Sequence, residues 1–477
     1  MKRSSGILMH ISSLYGDYSI GTFGKSALEF IDFLSECGFS VWQVLPFTVT
    51  DEYNSPYKSF SAFGGNPYFI DPEKLYADGL ISSDDLEKCR QNTPYTAEFE
   101  RLSKERMPLL KKAYSNFTNR DRADEFINNH PHLEAFCRFM TLRSENGCKP
   151  WQEWEISEIT DEETLGMWKF IQYEFFSQWA EVKDYANSKG IRIIGDIPIY
   201  VSDDSSDVWE NRSLFQLDEK GYPLRVAGVP PDYFAEDGQL WGNPLYDWDE
   251  LKRTGYAWWK DRMNHALEMF DGVRIDHFRA IEAYWAVPAG EKTAKNGAWI
   301  KGPGIEFINA VKQGHDDKLI IAEDLGDITD EVRELVNKSG FPGMRVFQFG
   351  FLDGSDSIHL PHNYIANSVA YSGTHDNNTL FGFLWESSED VRRRALEYCG
   401  FSGGDWGGAC PLFLRAIFAS VSKLAIIPIQ DFLMYGSDTR INTPGVAGGN
   451  WSYRVTKEQL QNADKEFFKS LNRIYRR

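Results

Sequence analysis

Four stretches of the chain carry an acid where a run of aliphatic or β-branched residues should be ending: Asp196 in IRIIGDIPIYV, Asp276 in GVRIDHFR, Glu323 and Asp324 in LIIAEDLG, and Asp376, behind His375, in VAYSGTHDNNT. Arg274 lies two residues before Asp276, so in an extended segment both side chains share a face and the guanidinium favours the Asp276 anion. Glu323 follows the apolar run Leu319 to Ala322, a flank that disfavours charge and raises the pKa of a carboxyl group. An ionised carboxylate opposite a protonated one breaks a glycosidic bond with retention when the two groups lie about 5–5.5 Å apart. Asp276 is therefore read as the nucleophile and Glu323 as the acid. Asp376 would bind sugar hydroxyls whose hydrogen bonds strengthen as the ring flattens, and His375 beside it adds a donor.

The same residues admit other readings. Any one of these acids could be a structural or solvated group at the end of a strand. Asp and Glu on successive strands with His nearby also suit Mg²⁺ or Mn²⁺ in enolisation or isomerisation. Arg274 beside Asp276 would repel such an ion, and no strand-end lysine supplies the base. A non-catalytic glycan-binding protein would be expected to lack one of the acids, yet Asp276, Glu323 and Asp376 are all present. NHPH (Asn129 to His132) is read as a surface turn, and GGNPY and GPG as loop turns, because no phosphate-cradling GxxxxGK[ST] or GxGxxG follows a strand. No metal site and no cofactor are expected.

Acids separated by 80, 47 and 53 residues meet only if the fold gathers strand ends. Short apolar runs recur at Gly6 to His10, Val41 to Phe47, Ile191 to Val201, Gly272 to Ile275, Leu319 to Leu325, Met344 to Phe349, Ser368 to Tyr371 and Ala425 to Asp431. Amphipathic helices are predicted at Ser26 to Cys37, Tyr256 to Phe270, Gly304 to Lys312, Thr329 to Ser339, Ser388 to Tyr398 and Leu412 to Leu424. A final helix should run from Thr456 towards Arg477, opened by the capping pattern Thr456-x-x-Gln459. Eight strands alternating with helices argue for an α/β fold, a closed (β/α)8 TIM barrel, whose catalytic groups come from the C-terminal ends of the strands. The expected division is residues 1–74 for strands 1 and 2 with an active-site loop, 75–165 for a mainly helical insertion between strands 2 and 3, and 166–477 for strands 3 to 8. Within the last, 202–256 reads as a long lid-like loop dense in Gly, Pro, Asp and Trp.

Composition narrows the partners. Seventy Asp and Glu against 51 Lys and Arg give a net charge of −19, which repels phosphate backbones, so nucleic acid is not expected. Apolar runs are far shorter than the roughly 20 residues of a bilayer crossing, and the N-terminal apolar segment is too short for a signal peptide. Six scattered cysteines without a CxxC pair read as reduced thiols, and the cytoplasm is the expected location. Aromatic residues make up 15% of the chain, and many sit in loop-like sequence such as GQLWGNPLYDW, where flat rings can stack on sugar faces.

GDIPIYV, GVRIDHFR, AEDLG and SGTHDNNT, in that order, resemble the strand-end motifs of the 4-α-glucanotransferases, also called amylomaltases or disproportionating enzymes, relatives of the α-amylases. Three longer stretches add to the likeness: NSPYKSFSAFGGNPYFID, AGVPPDYFAEDGQLWGNPLY and RINTPGVAGGNWSYR. The resemblance implies an α-retaining double displacement on α-1,4-glucans, with maltooligosaccharides and glucose as partners. It implies Asp276 as nucleophile, Glu323 as acid/base and Asp376 as stabiliser of the distorted sugar. Tyr57, Asp196, Arg274, His277, His375, Asn442 and Asn450 would then lie around the donor site, with Trp241 and Asn243 as further substrate contacts. Tyr233 and Phe234 match an aromatic loop covering the cleft. Ala235-Glu236-Asp237 replaces an expected Ser-x-Thr, and Asn378 stands where Asp is common; both bear on loop geometry and chain-length preference. A plain α-1,4-glucan hydrolase on the same scaffold is the alternative.

Overall fold

The computed structural model describes residues 2–231, 236–352, 356–446 and 448–477. Twelve strands occur among them: β1 (Ser4–Leu8), β2 (Val41–Gln43), β3 (Arg192–Ile197), β4 (Arg225–Val229), β5 (Gln239–Pro244), β6 (Gly272–Ile275), β7 (Ala283–Pro288), β8 (Ala298–Lys301), β9 (Leu319–Ala322), β10 (Gly343–Val346), β11 (Ser368–Tyr371) and β12 (Leu424–Pro428). Eight of them close a parallel barrel in the order β1-β12-β11-β10-β9-β6-β3-β2. Each contains or overlaps one of the eight expected runs, so the barrel expectation holds. Closure is made by β1 on β12, with Ser4 opposite Leu424.

Two apolar layers hold the barrel. Its interior is filled by Leu8, Val41, Ile194, Ile321, Met344, Val369 and Ile426, while a larger layer of aromatic and aliphatic side chains packs the outer strand faces against the helices. Each fully buried Leu, Ile or Phe contributes about 1.5–3 kcal/mol relative to exposure. These layers, more than the polar mouth, fix the strand ends. The expected helices are found, and the Thr456–Gln459 capping box is present. The last predicted helix is broken in two, Lys457–Gln461 and Lys465–Tyr475, because Asp464 caps a new start by accepting from the Phe467 amide.

Between β2 and β3 lie the helices Phe99–Asn116, Arg120–Asn128 and Pro131–Glu145, followed by a 27-residue helix, Glu162–Ser188. This helix spans the expected boundary near residue 165 and packs on the insertion helices and on the barrel helix Lys25–Glu36 alike. The side chain of its Gln172 accepts from the Gly65 amide at 2.7 Å and donates to the Gly65 carbonyl. A Cβ on Gly65 would sit 2.3 Å from the Phe175 ring, so the GGNPY stretch needs glycine for close approach rather than only for a turn. In NHPH, Asn129 ends one helix and His130 precedes the next. His132 stacks on Phe63 with ring centroids 4.1 Å apart.

One expectation needs correction. The segment 202–256 is not simply a loop: it supplies β4 and β5, which join β7 and β8 in an antiparallel sheet ordered β5-β4-β7-β8. Pairing β4 with β7 sets Val226 opposite Val287 across a long stretch of chain, a contact invisible to local patterning. Gly228 permits the irregular β4–β5 pairing, since a Cβ there would meet the Gln239 carbonyl oxygen at 2.5 Å. No helix among the described residues is long and apolar enough to cross a membrane.

Candidate active site

The barrel register brings the acids together. Asp196 on β3 lies directly opposite Arg274 on β6, so both side chains point the same way across neighbouring strands. Arg274 Nη1 donates to Asp196 Oδ1 at 2.9 Å and Oδ2 at 2.6 Å, and Arg274 Nη2 donates to Asp276 Oδ1 at 2.7 Å. The Tyr57 hydroxyl donates to Asp196 Oδ2 at 2.7 Å. The Asp196 and Arg274 side chains are almost wholly buried, whereas Asp276 keeps 27% of its side chain accessible at the mouth. Arg274 is thus a hub that ties a buried carboxylate to a partly accessible one.

Immediately after Asp276 the backbone turns left-handed at His277, with φ 50° and ψ 48°. For a residue with a Cβ this conformation costs of order 1–3 kcal/mol. It aims the His277 amide at Glu323 Oε2, 2.7 Å away, while the Leu325 amide meets Glu323 Oε1 at 2.8 Å. Burial pushes the Glu323 carboxyl up to about 8; the Asp276 charge adds to this, and Arg274 and the two amides oppose it without cancelling it. The His277 ring, held neutral near pH 7 by burial that lowers its pKa to about 4, stands edge-on to Trp241 at 4.7 Å.

Across the mouth, His375 stacks on Tyr57 at 5.0 Å and lies 3.3 Å from Asp376 Oδ2 through its Nε2. Burial alone would lower the His375 pKa; Asp376 reverses this and holds it above its ordinary value. For Asp376, burial acts upward, but the charge and hydrogen bond of His375, with Asn442 adding, hold it down to about 2. Asn442 Nδ2 donates to Asp376 Oδ1 at 2.6 Å, and Arg440 Nη2 donates to the Asp376 carbonyl at 2.6 Å.

An open cleft of about 1300 Å³ is lined by Tyr57, Trp241, Asn243, Asp276, His277, His375, Asp376, Asn442, Asn450 and Trp451, among others. Most of the sequence-predicted residues therefore converge. Asn243 donates its side-chain N–H to the Val201 carbonyl, and Asn450 braces its own loop by accepting from the Thr443 amide and donating to the Val446 carbonyl. Both line the cleft while anchoring backbone. Tyr233 and Phe234 lie outside the described residues. Trp451, Arg440 and Gln239 were missed. Trp451, inside the quoted GGNWSYR stretch, is near both Tyr57 and His375. No group of three or more His, Cys, Asp or Glu among the described residues is placed to hold a metal ion.

A parallel barrel bearing an arginine-paired aspartate, a buried glutamate and a histidine-paired aspartate at its C-terminal mouth has the form of an enzyme that works on glycosidic bonds. The family model described as 4-α-glucanotransferase matches residues 9–460. A 4-α-glucanotransferase of Clostridium butyricum is 46% identical over 490 residues, covering 98% of this chain and all of the relative. The solved structure of an amylomaltase from Streptococcus agalactiae in complex with acarbose superposes with a TM-score of 0.95 at 40% identity, covering 100% of both chains. The amylomaltase of Corynebacterium glutamicum, at 17% identity and a TM-score of 0.82 over 98% of this chain and 75% of its own, shows the same fold. The chain belongs to the 4-α-glucanotransferase family.

Proposed function

We propose that this enzyme transfers a segment of an α-1,4-glucan to the 4-hydroxyl of glucose or of another glucan, through a covalent glycosyl-enzyme formed on Asp276. Arg274 occupies Asp276 Oδ1, which leaves Oδ2 for the anomeric carbon. Attack there breaks the glycosidic bond while Glu323 gives its proton to the departing 4-oxygen, and the shortened glucan leaves as an alcohol. Glu323, now ionised, takes the proton from an incoming 4-hydroxyl, whose oxygen displaces Asp276 and restores both groups. Asp376, oriented by His375 and Asn442, binds ring hydroxyls as the sugar flattens.

The observation that carries this reading is the split in partners: Asp276 is met by a guanidinium, Glu323 by backbone amides in a buried setting. Family membership favours transfer over the plain hydrolase. Water must be kept from the glycosyl-enzyme while an acceptor binds, and the rings of Tyr57, Trp241 and Trp451 around the cleft serve this exclusion and stack the acceptor. All six cysteines are free, which supports a cytoplasmic location. Incubation with maltotriose, resolved by chain length beside Asp276→Asn, tests the function. Glucose together with maltooligosaccharides longer than the substrate is expected from the wild type alone; glucose and maltose without longer products would establish the hydrolase instead.

A further inference from the structure

Nine residues beyond Asp376, Trp385 leaves 68% of its surface in water, more than any other tryptophan. It is held in place by a built surround. Trp385 ends the helix Leu380–Glu386, with the Trp406 ring 5.7 Å away at 60° and Phe381 at 6.4 Å. Arg392 stacks on Trp406 at 3.9 Å while its Nη1 donates to the Leu384 carbonyl at 3.0 Å and the Ser387 carbonyl at 3.3 Å. One guanidinium therefore fixes both the second ring and the helix end that presents the first. A carboxylate adjoins each ring in sequence: Glu386, after Trp385, accepts from the Ser437 hydroxyl, and Asp405, before Trp406, accepts from the Gly407 amide.

We propose that the Trp385–Trp406 surface is a second binding platform for an α-1,4-glucan chain, outside the catalytic cleft. The inference rests on the glucan reading of the catalytic site. Flat rings with a carboxylate next to each in the chain match a sugar, which offers a C–H face and hydroxyl donors at its rim. A net charge of −19 disfavours an anionic partner. The platform is continuous with the catalytic loop. Asn378 Nδ2 donates to Ser437 Oγ at 3.0 Å, and Ser437 Oγ donates to Glu386. Only three residues of chain separate Asp376 from the start of the Trp385 helix at Leu380, so the Asp376 and Trp385 Cα atoms lie within about 20–22 Å. A long glucan can touch both places at once, which raises its effective concentration at the cleft; maltotriose is too short to do so.

The test compares the wild-type enzyme with Trp385→Ala and Trp385→Tyr on maltotriose and on long-chain amylose, with retardation of each protein in native gels containing amylose. Trp385→Ala should raise the amylose KM roughly 3- to 10-fold. It should leave maltotriose kcat and KM within about twofold and reduce gel retardation, while Trp385→Tyr restores most of both. An unchanged amylose KM and unchanged retardation in Trp385→Ala would overturn the platform. So would sedimentation showing that Trp385→Ala converts a wild-type dimer to monomer, because the surface then serves a second copy of the chain. Gel retardation reads glucan binding without turnover, and maltotriose elongation reads the catalytic function, so failure of one is separable from failure of the other.

Discussion

The two halves of the barrel mouth hold the same chemical group with different donors. On the β3–β6 side, Asp196 and Asp276 share one arginine, and a tyrosine hydroxyl completes the buried pair. On the β9 side, Glu323 is equally deep, yet its direct donors are two backbone amides, one of them aimed by the left-handed turn at His277. A guanidinium shared between two carboxylates, one nitrogen to each, is a strong, oriented, charge-assisted partner. Burial raises the pKa of both buried carboxyls, Asp196 and Glu323, and Arg274 opposes it at each; at Glu323 only neutral amides add to that opposition by direct contact. Glu323 and Asp276 thus differ both in depth and in direct partners: the first is buried and met by amides, the second is partly open to the mouth and met by a guanidinium.

That contrast can be broken experimentally, beginning with its largest consequence. Asp276→Asn should lower kcat for maltotriose elongation by roughly 10⁴-fold with an unchanged melting temperature; residual activity within tenfold of wild type would place the nucleophile elsewhere. Glu323→Gln should cost about 10²–10⁴-fold. In the wild type, kcat/KM should fall as pH rises through about 8, because proton donation requires the protonated form of Glu323. A pH profile on an activated donor that needs no proton should lose this limb in Glu323→Gln. Arg274→Ala should cost activity by about 10²-fold and also destabilise the fold by about 3–5 kcal/mol, since it strands the buried Asp196 carboxylate. Arg274→Lys should recover only part of either, because one ammonium nitrogen replaces the two guanidinium nitrogens that meet Asp196 and Asp276 separately; full rescue would show that charge alone suffices. Asn442→Ala, which removes one hydrogen bond to Asp376, should raise KM or lower kcat by about tenfold.

The barrel was legible because its strands are short, fully buried and rich in β-branched residues, and because each acid interrupts such a run. Asp276 and Arg274 could be placed on one face from a spacing of two. The antiparallel sheet β5-β4-β7-β8 was not legible. QLWGNP, the sequence of β5, contains glycine and ends in proline, and its partners are set by long-range pairing. The helix Glu162–Ser188 was hidden for another reason: it packs on both the barrel and the insertion, so residues from Met167 to Ala186 are buried on several sides and no single apolar stripe emerges. Trp451 and Arg440 come from a turn-rich segment without periodicity, and only the barrel's closure by β1 on β12 carries that segment to the mouth.

The long helix has a mechanical consequence. At 27 residues it is a girder about 40 Å long. Through Gln172 and Gly65 it is bolted to the segment that carries Tyr57. A girder gripped on opposite flanks resists bending, so the segment that carries Tyr57 is braced from behind by a rigid beam.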